Sequence, residues 1–163
     1  MPVNHTDEAY DLFYGVPTET DLQSFAKRLL NPDYFYTPSG PLIVGANDGY
    51  KNYQYHGSVI WTKQTALIVA GLKRMLELHK RDWSNETLQL IRQALIVCAV
   101  SNLNALITLG QIPELYVDIS GHAKHYDELP NAEGPANVMQ LWSTIGARRI
   151  IRDLNEVYKT NSG

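Results

Sequence analysis

Apolar residues recur at the three- and four-residue spacing of a helix in four stretches of the chain. Ser58 and Ser84 can each cap a following helix, while Asn31-Pro32 ends the first helix because a residue before proline avoids helical backbone. Gly110 ends the third helix. The predicted spans are Thr20 or Asp21 to Leu30, Ser58 to about Lys80, Ser84 to Leu109, and Asn137 to Tyr158. The pattern predicts an all-α fold.

Two long segments without helical periodicity separate these helices. Tyr34–Tyr55 is rich in proline, glycine and tyrosine, and Gln111–Ala136 follows the third helix. No strand is predicted in either, since Pro41–Val44 is too short. Loops this long in a compact chain are usually functional.

The second and third helices are apolar on nearly every face, between Ala66 and Leu76 and between Ala94 and Leu109. Such helices need protein on several sides, and four helices supply few neighbours. We therefore expect them to belong to a larger array of helical hairpins, or to pair with another copy of the chain.

Composition narrows the class of protein. The 163 residues are 44% hydrophobic and 19% charged, which predicts one globular domain over residues 1–163. The net charge of −3 and the absence of a Lys/Arg stripe argue against nucleic acid as a partner. Ala94–Leu109 is shorter than the ~20 residues of a membrane span, so no membrane partner is predicted. The lone Cys98 has no partner for an internal disulfide, and together with a polar N-terminus weakly favours the cytoplasm.

The turn before the second helix carries the most informative chemistry. Tyr55 and His56 precede Ser58, and Trp61 and Gln64 follow within a turn. Aromatic, imidazole and amide groups thus gather at a helix start, where backbone N–H groups are unpaired. Such groups suit a polyhydroxylated ligand, because rings contact sugar C–H groups and polar side chains bond hydroxyls.

Several of these candidate residues also have a purely structural interpretation. His56 serves equally well as a turn residue that caps the helix, and Trp61 at helical spacing is often a core residue. His122 and His125 are better explained as scattered loop histidines than as metal ligands, because no cysteine or helical histidine pair supports them. No metal or cofactor is predicted, and Cys98 is expected to be a small core residue.

Three blocks of the sequence, in order, resemble the C-terminal part of six-hairpin (α/α)6-toroid glycosidases of the glycogen-debranching, amylo-α-1,6-glucosidase type. The blocks are Tyr55–Trp61 with Gln64 and Ala66–Leu72 (YHGSVIW, Q, ALIVAGL), Pro113–Tyr116 (PELY), and Gln140–Ser143 (QLWS). The resemblance covers roughly Asp11–Leu154. It implies that the chain is part of an (α/α)6 toroid, with about two of the six hairpins.

The resemblance also implies an inverting hydrolysis of glycosides, which needs a general acid and a general base on either side of the bond. It assigns the base to Glu114, with Glu133 as a substitute, and adds Trp142 to the sugar pocket. It places the acid in an earlier hairpin, so the isolated chain is expected to be inactive and to need the missing part of the toroid or another copy. The alternative is a non-catalytic helical protein of the same fold that binds carbohydrate or forms oligomers.

Overall fold

Five α-helices and one β-hairpin form the part of the chain that the computed structural model describes, which is residues 4–47, 57–130, 132, 136 and 140–159. The elements are α1 (Ala9–Tyr14), α2 (Glu19–Leu29), α3 (Thr62–His79), α4 (Asn85–Leu109), β1 (Tyr116–Ile119), β2 (His122–His125) and α5 (Leu141–Lys159). Short 3-10 turns occupy Thr6–Glu8 and Tyr126–Glu128. The fold is therefore mostly helical, as the apolar pattern predicts.

Helix α3 lies at the centre of the helical layer, with α1, α4 and α5 packed around it and α2 packed on α4. Two glycines allow neighbouring helices to pack closely against each other. A Cβ on Gly71 would lie 2.7 Å from the Leu12 Cβ of α1, and a Cβ on Gly146 would lie 3.0 Å from the Thr62 carbonyl oxygen. The core between these helices includes Leu22, Phe25, Leu72, Met75, Ile91, Leu95 and Ile150.

The predicted ends of α4 are confirmed. Its first turn is capped by Ser84, whose hydroxyl accepts the Thr87 N–H at 3.2 Å. The helix ends at Gly110, which has the left-handed φ of 65° that glycine tolerates without strain. Cys98 is buried in this helix as expected, and burial raises the pKa of its thiol to about 12.

Two predicted helix starts are wrong. Helix α2 begins at Glu19, because Thr18 and Asp21 form a reciprocal capping box. Helix α3 begins at Thr62 rather than after Ser58, because Ile60 pairs with Tyr116 in an isolated bridge and so stays extended. For α5, the described helix starts at Leu141, and the predicted start at Asn137 lies outside the described residues.

The β-hairpin was not predicted. β1 pairs antiparallel with β2 inside the second long loop, and Ser120 and Gly121 make the turn with φ values of 53° and 84°. The Asp118 carboxylate accepts the Gly121 N–H at 2.8 Å and holds this turn closed. Four-residue strands with polar residues carry too little periodicity to stand out in a sequence.

Helix α4 is also the one helix among the described residues that is long and apolar enough to cross a membrane. Somewhat under half of its most apolar stretch is buried in the fold. The helix packs against α2, α3 and α5, and Leu95 and Asn102 are buried in it, whereas Ile107 is exposed. Core helices of soluble proteins share this composition, so the helix alone is weak evidence for a membrane.

Candidate functional site

The three sequence blocks converge at the N-terminal end of α3. Ile60 and Tyr116 exchange two backbone hydrogen bonds, of 2.8 and 3.1 Å, which join the first block to the second. The Trp61 indole N–H donates to the Gln140 side-chain oxygen at 3.0 Å, which joins the first block to the third. Segments far apart in the chain are therefore neighbours at one helix end.

A buried polar network lies beneath this meeting point. The Asn102 amide of α4 donates to the Tyr116 hydroxyl at 2.6 Å, and that hydroxyl donates to the Ser39 carbonyl at 2.9 Å. Asn102 also approaches the Thr62 hydroxyl at 3.3 Å. Burial raises the pKa of Tyr116 far above its ordinary value, so this phenol keeps its proton. The network fixes the loops relative to the start of α3.

A cleft of about 330 Å³ opens beside Trp61. Trp61 is the N-cap residue of α3 and Gln64 lies in its first turn, while the rest of the wall comes from the segment before α1, from α1 itself and from the loop after α2. The described lining residues are His5, Asp7, Tyr10, Ile43, Trp61 and Gln64. The cleft thus combines aromatic, carboxylate, imidazole and amide groups.

Asp7 is the polar centre of the cleft. One carboxylate oxygen accepts the Gln64 amide N–H at 3.2 Å, and the other lies 3.3 Å from His5 Nδ1. The same Nδ1 accepts the Asp7 backbone N–H at 3.0 Å, which places the ring proton on Nε2 in a neutral imidazole. The approach between His5 and the carboxylate becomes an ion pair only when Nδ1 is protonated. With 62% of its side chain exposed, Asp7 remains accessible to a ligand.

The aromatic residues differ in how they meet the cleft. The Lys63 ammonium lies 4.5 Å from the Trp61 ring centre and 5.9 Å from that of Trp142, so it sits between the two indoles. Trp142 is 57% exposed on α5 and is not among the described residues that line the cleft. Burial, followed by the negative charge of Asp7, raises the pKa of Tyr10, so its phenol keeps a proton to donate.

Glu114 lies on the bend just before β1, two residues from Tyr116, and so at the same end of α3 as Trp61. It is 8% exposed and does engage other groups in the fold. Among the described residues it does not line the cleft beside Trp61. A neighbouring hollow of about 200 Å³ is lined instead by its sequence neighbours Pro113 and Leu115, together with Asp127 and Glu128.

Of the predicted sugar-binding residues, Trp61 and Gln64 line one cleft and Trp142 is not among its described lining residues. Tyr55 and His56 lie outside the described residues. Glu133, the substitute base, also lies outside them.

The sequence patterns did not identify His5, Asp7 and Tyr10 as site residues. They belong to no motif, and only the folding of the chain brings them to the cleft. The spacing of His5 and Asp7 around a helix start was the one available signal, since His5 caps the turn at Thr6–Glu8.

Within the described residues, no group of three or more His, Cys, Asp or Glu side chains could hold a metal ion. His122 and His125 lie on β2, with the latter beside the smaller hollow. In comparisons with known proteins, the chain matches no family model and no curated protein.

Proposed function

We propose that this protein is a glycoside hydrolase module of the inverting, α-glucosidase or debranching type, in which the cleft beside Trp61 binds sugar. The observation that carries the proposal is that Asp7, Trp61 and Gln64 line one cleft. A carboxylate and an amide bond hydroxyl groups, and an indole covers the C–H face of a pyranose. The resemblance of the converging blocks to six-hairpin glycosidases supports the same chemistry.

In this proposal Glu114 is the general base that activates water. Glu114 lies at the same end of α3 as Trp61 but outside the described lining of the cleft, so this role requires the missing hairpins to extend the sugar site to its carboxylate. Inverting enzymes hold acid and base roughly 6.5–9.5 Å apart, with water between them. The acid then comes from the rest of a toroid, so the isolated chain binds sugar and does not cleave it.

The outer face of α5 supports the need for a partner. Leu141, Trp142 and Ile145 are each at least half exposed, and they lie next to one another at the start of the helix. Apolar side chains grouped on a surface commonly mark a protein interface. In this proposal the missing hairpins of the toroid, or another copy of the chain, cover this face.

Binding is tested by titrating the chain with maltose and isomaltose, which are α-1,4- and α-1,6-linked glucose disaccharides, while following the indole N–H resonances. We expect the Trp61 resonance to shift saturably and that of Trp83, at the other end of α3, to stay in place. Asp7→Asn and Gln64→Ala should each weaken binding at least tenfold, about 1.4 kcal/mol. Gln93→Ala, an exposed amide on α4, is the matched control. No saturable shift with either sugar would refute the proposed site.

Catalysis is tested in the protein assembled with its partner. Glu114→Gln should lower the rate of hydrolysis by about 10²- to 10⁴-fold, the usual contribution of a general base, with sugar binding retained. Proton NMR of the first product should show an inverted anomer. A protein that binds sugar but hydrolyses none, with or without Glu114, is instead the non-catalytic alternative.

A further inference from the structure

A second cleft lies at the opposite end of α3 from Trp61. It has a volume of about 450 Å³ and lies between the last turns of α3 and α5 and the third turn of α4. Two apolar side chains, Leu76 and Val157, contribute to its wall. The remaining lining residues are charged, namely Lys73, Glu77, Lys80, Arg92, Glu156 and Lys159. The sugar proposal does not use this cleft.

The charges in this cleft do not balance. Lys73 forms ion pairs with both acidic side chains of the cleft, and its ammonium lies 3.0 Å from Glu77 and 2.5 Å from Glu156. Across the described residues, Lys80, Arg92 and Lys159 have no carboxylate within ion-pairing distance. Three cations therefore surround one hollow without an acidic partner.

Arg92 provides the most specific observation. Its Nε is buried and has no hydrogen-bond partner among the described residues. A buried donor without a partner destabilises a fold, since it gives up water and gains nothing in return. A ligand that accepts a hydrogen bond from this nitrogen would remove that cost.

The helix dipoles explain only part of the cationic cluster. Lys80 caps the C-terminus of α3 and Lys159 is the last residue of α5, where a positive charge complements the partial negative charge of a helix end. Arg92 lies eight positions into α4, in its N-terminal half, where the dipole favours no cation. Its place in the cleft therefore has no explanation from helix capping.

We propose that this cleft binds a small organic anion, with a phosphate or carboxylate head on Arg92 and Lys80 and an apolar body against Leu76 and Val157. The planar guanidinium suits an oxyanion, because its N–H groups match two oxygens at once. The site is independent of the sugar cleft at the other end of α3.

Isothermal titration of the whole chain tests this with four probes. Inorganic phosphate supplies the head alone, 4-nitrophenyl phosphate and hexanoate supply a head with an apolar body, and hexanol supplies the body alone. We expect one of the two organic anions to bind more tightly than inorganic phosphate, and hexanol not to compete with it. Binding should weaken as ionic strength rises, since partly exposed charges are screened by salt.

Arg92→Met should lower the affinity for the tighter organic anion at least tenfold, whereas Arg81→Met, on the exposed turn after α3, should leave it unchanged. Removal of a donor without a partner should not lower the melting temperature of the free protein, so loss of binding is separable from misfolding. Arg92→Lys keeps the charge without the planar fork, and should bind more weakly than the native chain. Absence of saturable anion binding, equal binding by Arg92→Met, or full competition by hexanol would each overturn the proposal.

Discussion

Two regions of the molecule are held together in different ways. One is the helical layer, which consists of α1 to α5. The other is the loop region at the N-terminal end of α3, which consists of residues 39–47, 57–61 and 111–129. The layer is joined by faces of helices, such as those that bury Leu72, Met75 and Leu95. The loop region has a separate apolar cluster, which includes Ile43, Val59 and Leu115, and it adds single polar contacts between distant residues. Ser39 bonds to Asp118 across 79 positions, and Tyr116 bonds to Ser39 across 77.

This difference bears on function, because the candidate sugar cleft lies where the two regions meet. Gln64 belongs to α3 and Trp61 is the N-cap residue of that helix, whereas Asp7 and Ile43 come from segments outside the long helices. Changes in the helical layer should therefore affect global stability, and changes in the loop region should affect the shape of the cleft first.

Leu95→Ala should give the largest loss of stability. Leu95 is fully buried between α4 and its neighbours, and truncation of such a leucine costs about 2–5 kcal/mol. Urea unfolding measures the loss, and Leu78→Ala, at a half-exposed position on α3, should change stability by under about 0.5 kcal/mol. Similar losses for the two variants would contradict a core centred on this layer.

Tyr116→Phe should cost about 1–3 kcal/mol, because the Ser39 carbonyl loses its donor and the Asn102 amide loses its best acceptor. Amide hydrogen exchange should show faster opening of the loop region with α4 still protected. Tyr14→Phe, at an exposed ring, is the control. If exchange accelerates equally in α4 and in the loops, the two regions form one cooperative unit.

Ser84→Ala should cost about 1 kcal/mol, the usual value for loss of an N-cap. The same hydroxyl donates to the Glu19 carboxylate at 2.9 Å, so the change also loosens α2 from the start of α4. Thermal unfolding monitored by circular dichroism measures the effect. Ser24→Ala, at an exposed position on α2, should leave the melting temperature nearly unchanged.

Glu19→Gln should have the smallest effect on the free energy of unfolding at neutral pH. It should have a clear effect on how that free energy changes as the pH becomes acidic. Hydrogen bonds from Thr87 and then Ser84 lower the pKa of Glu19 below its ordinary value of 4.5. A lowered pKa in the fold means that the stabilisation is complete above the unfolded value and is lost as pH falls through the folded one. The variant should therefore lose less stability than the native chain between neutral and acidic pH. Parallel curves for the two proteins would show that the carboxylate contributes nothing.

The sequence predicts α2 to α5, because the apolar positions of each of these helices recur at helical spacing, but it does not predict the short helix α1. Ser84 and Gly110 mark both ends of α4 correctly, since capping is a local interaction. The start of α3 is mispredicted for the opposite reason. Ser58 is a good local cap, but the bridge between Ile60 and Tyr116 keeps the chain extended past it, and that bridge joins residues 56 positions apart.

The candidate site is predicted only in the part that belongs to α3. Trp61 and Gln64 stand out because they open a helix, whereas Asp7 and His5 reach the cleft through the packing of the N-terminal segment on α3. No local pattern records that packing. The orphan nitrogen of Arg92 is likewise invisible in the sequence, because it depends on which helices surround it.

Gly146 has no side chain, yet it allows α5 to approach the start of α3 closely beside the candidate sugar cleft. A methyl group at this position would lie 3.0 Å from the Thr62 carbonyl and 3.3 Å from the Lys63 Cα, so it would push the N-terminal half of α5 away by a few tenths of an ångström. Gln140, which steadies the Trp61 indole, immediately precedes α5 and would move with it. Replacement of a single hydrogen atom of Gly146 should therefore shift the Trp61 indole through the displacement of Gln140.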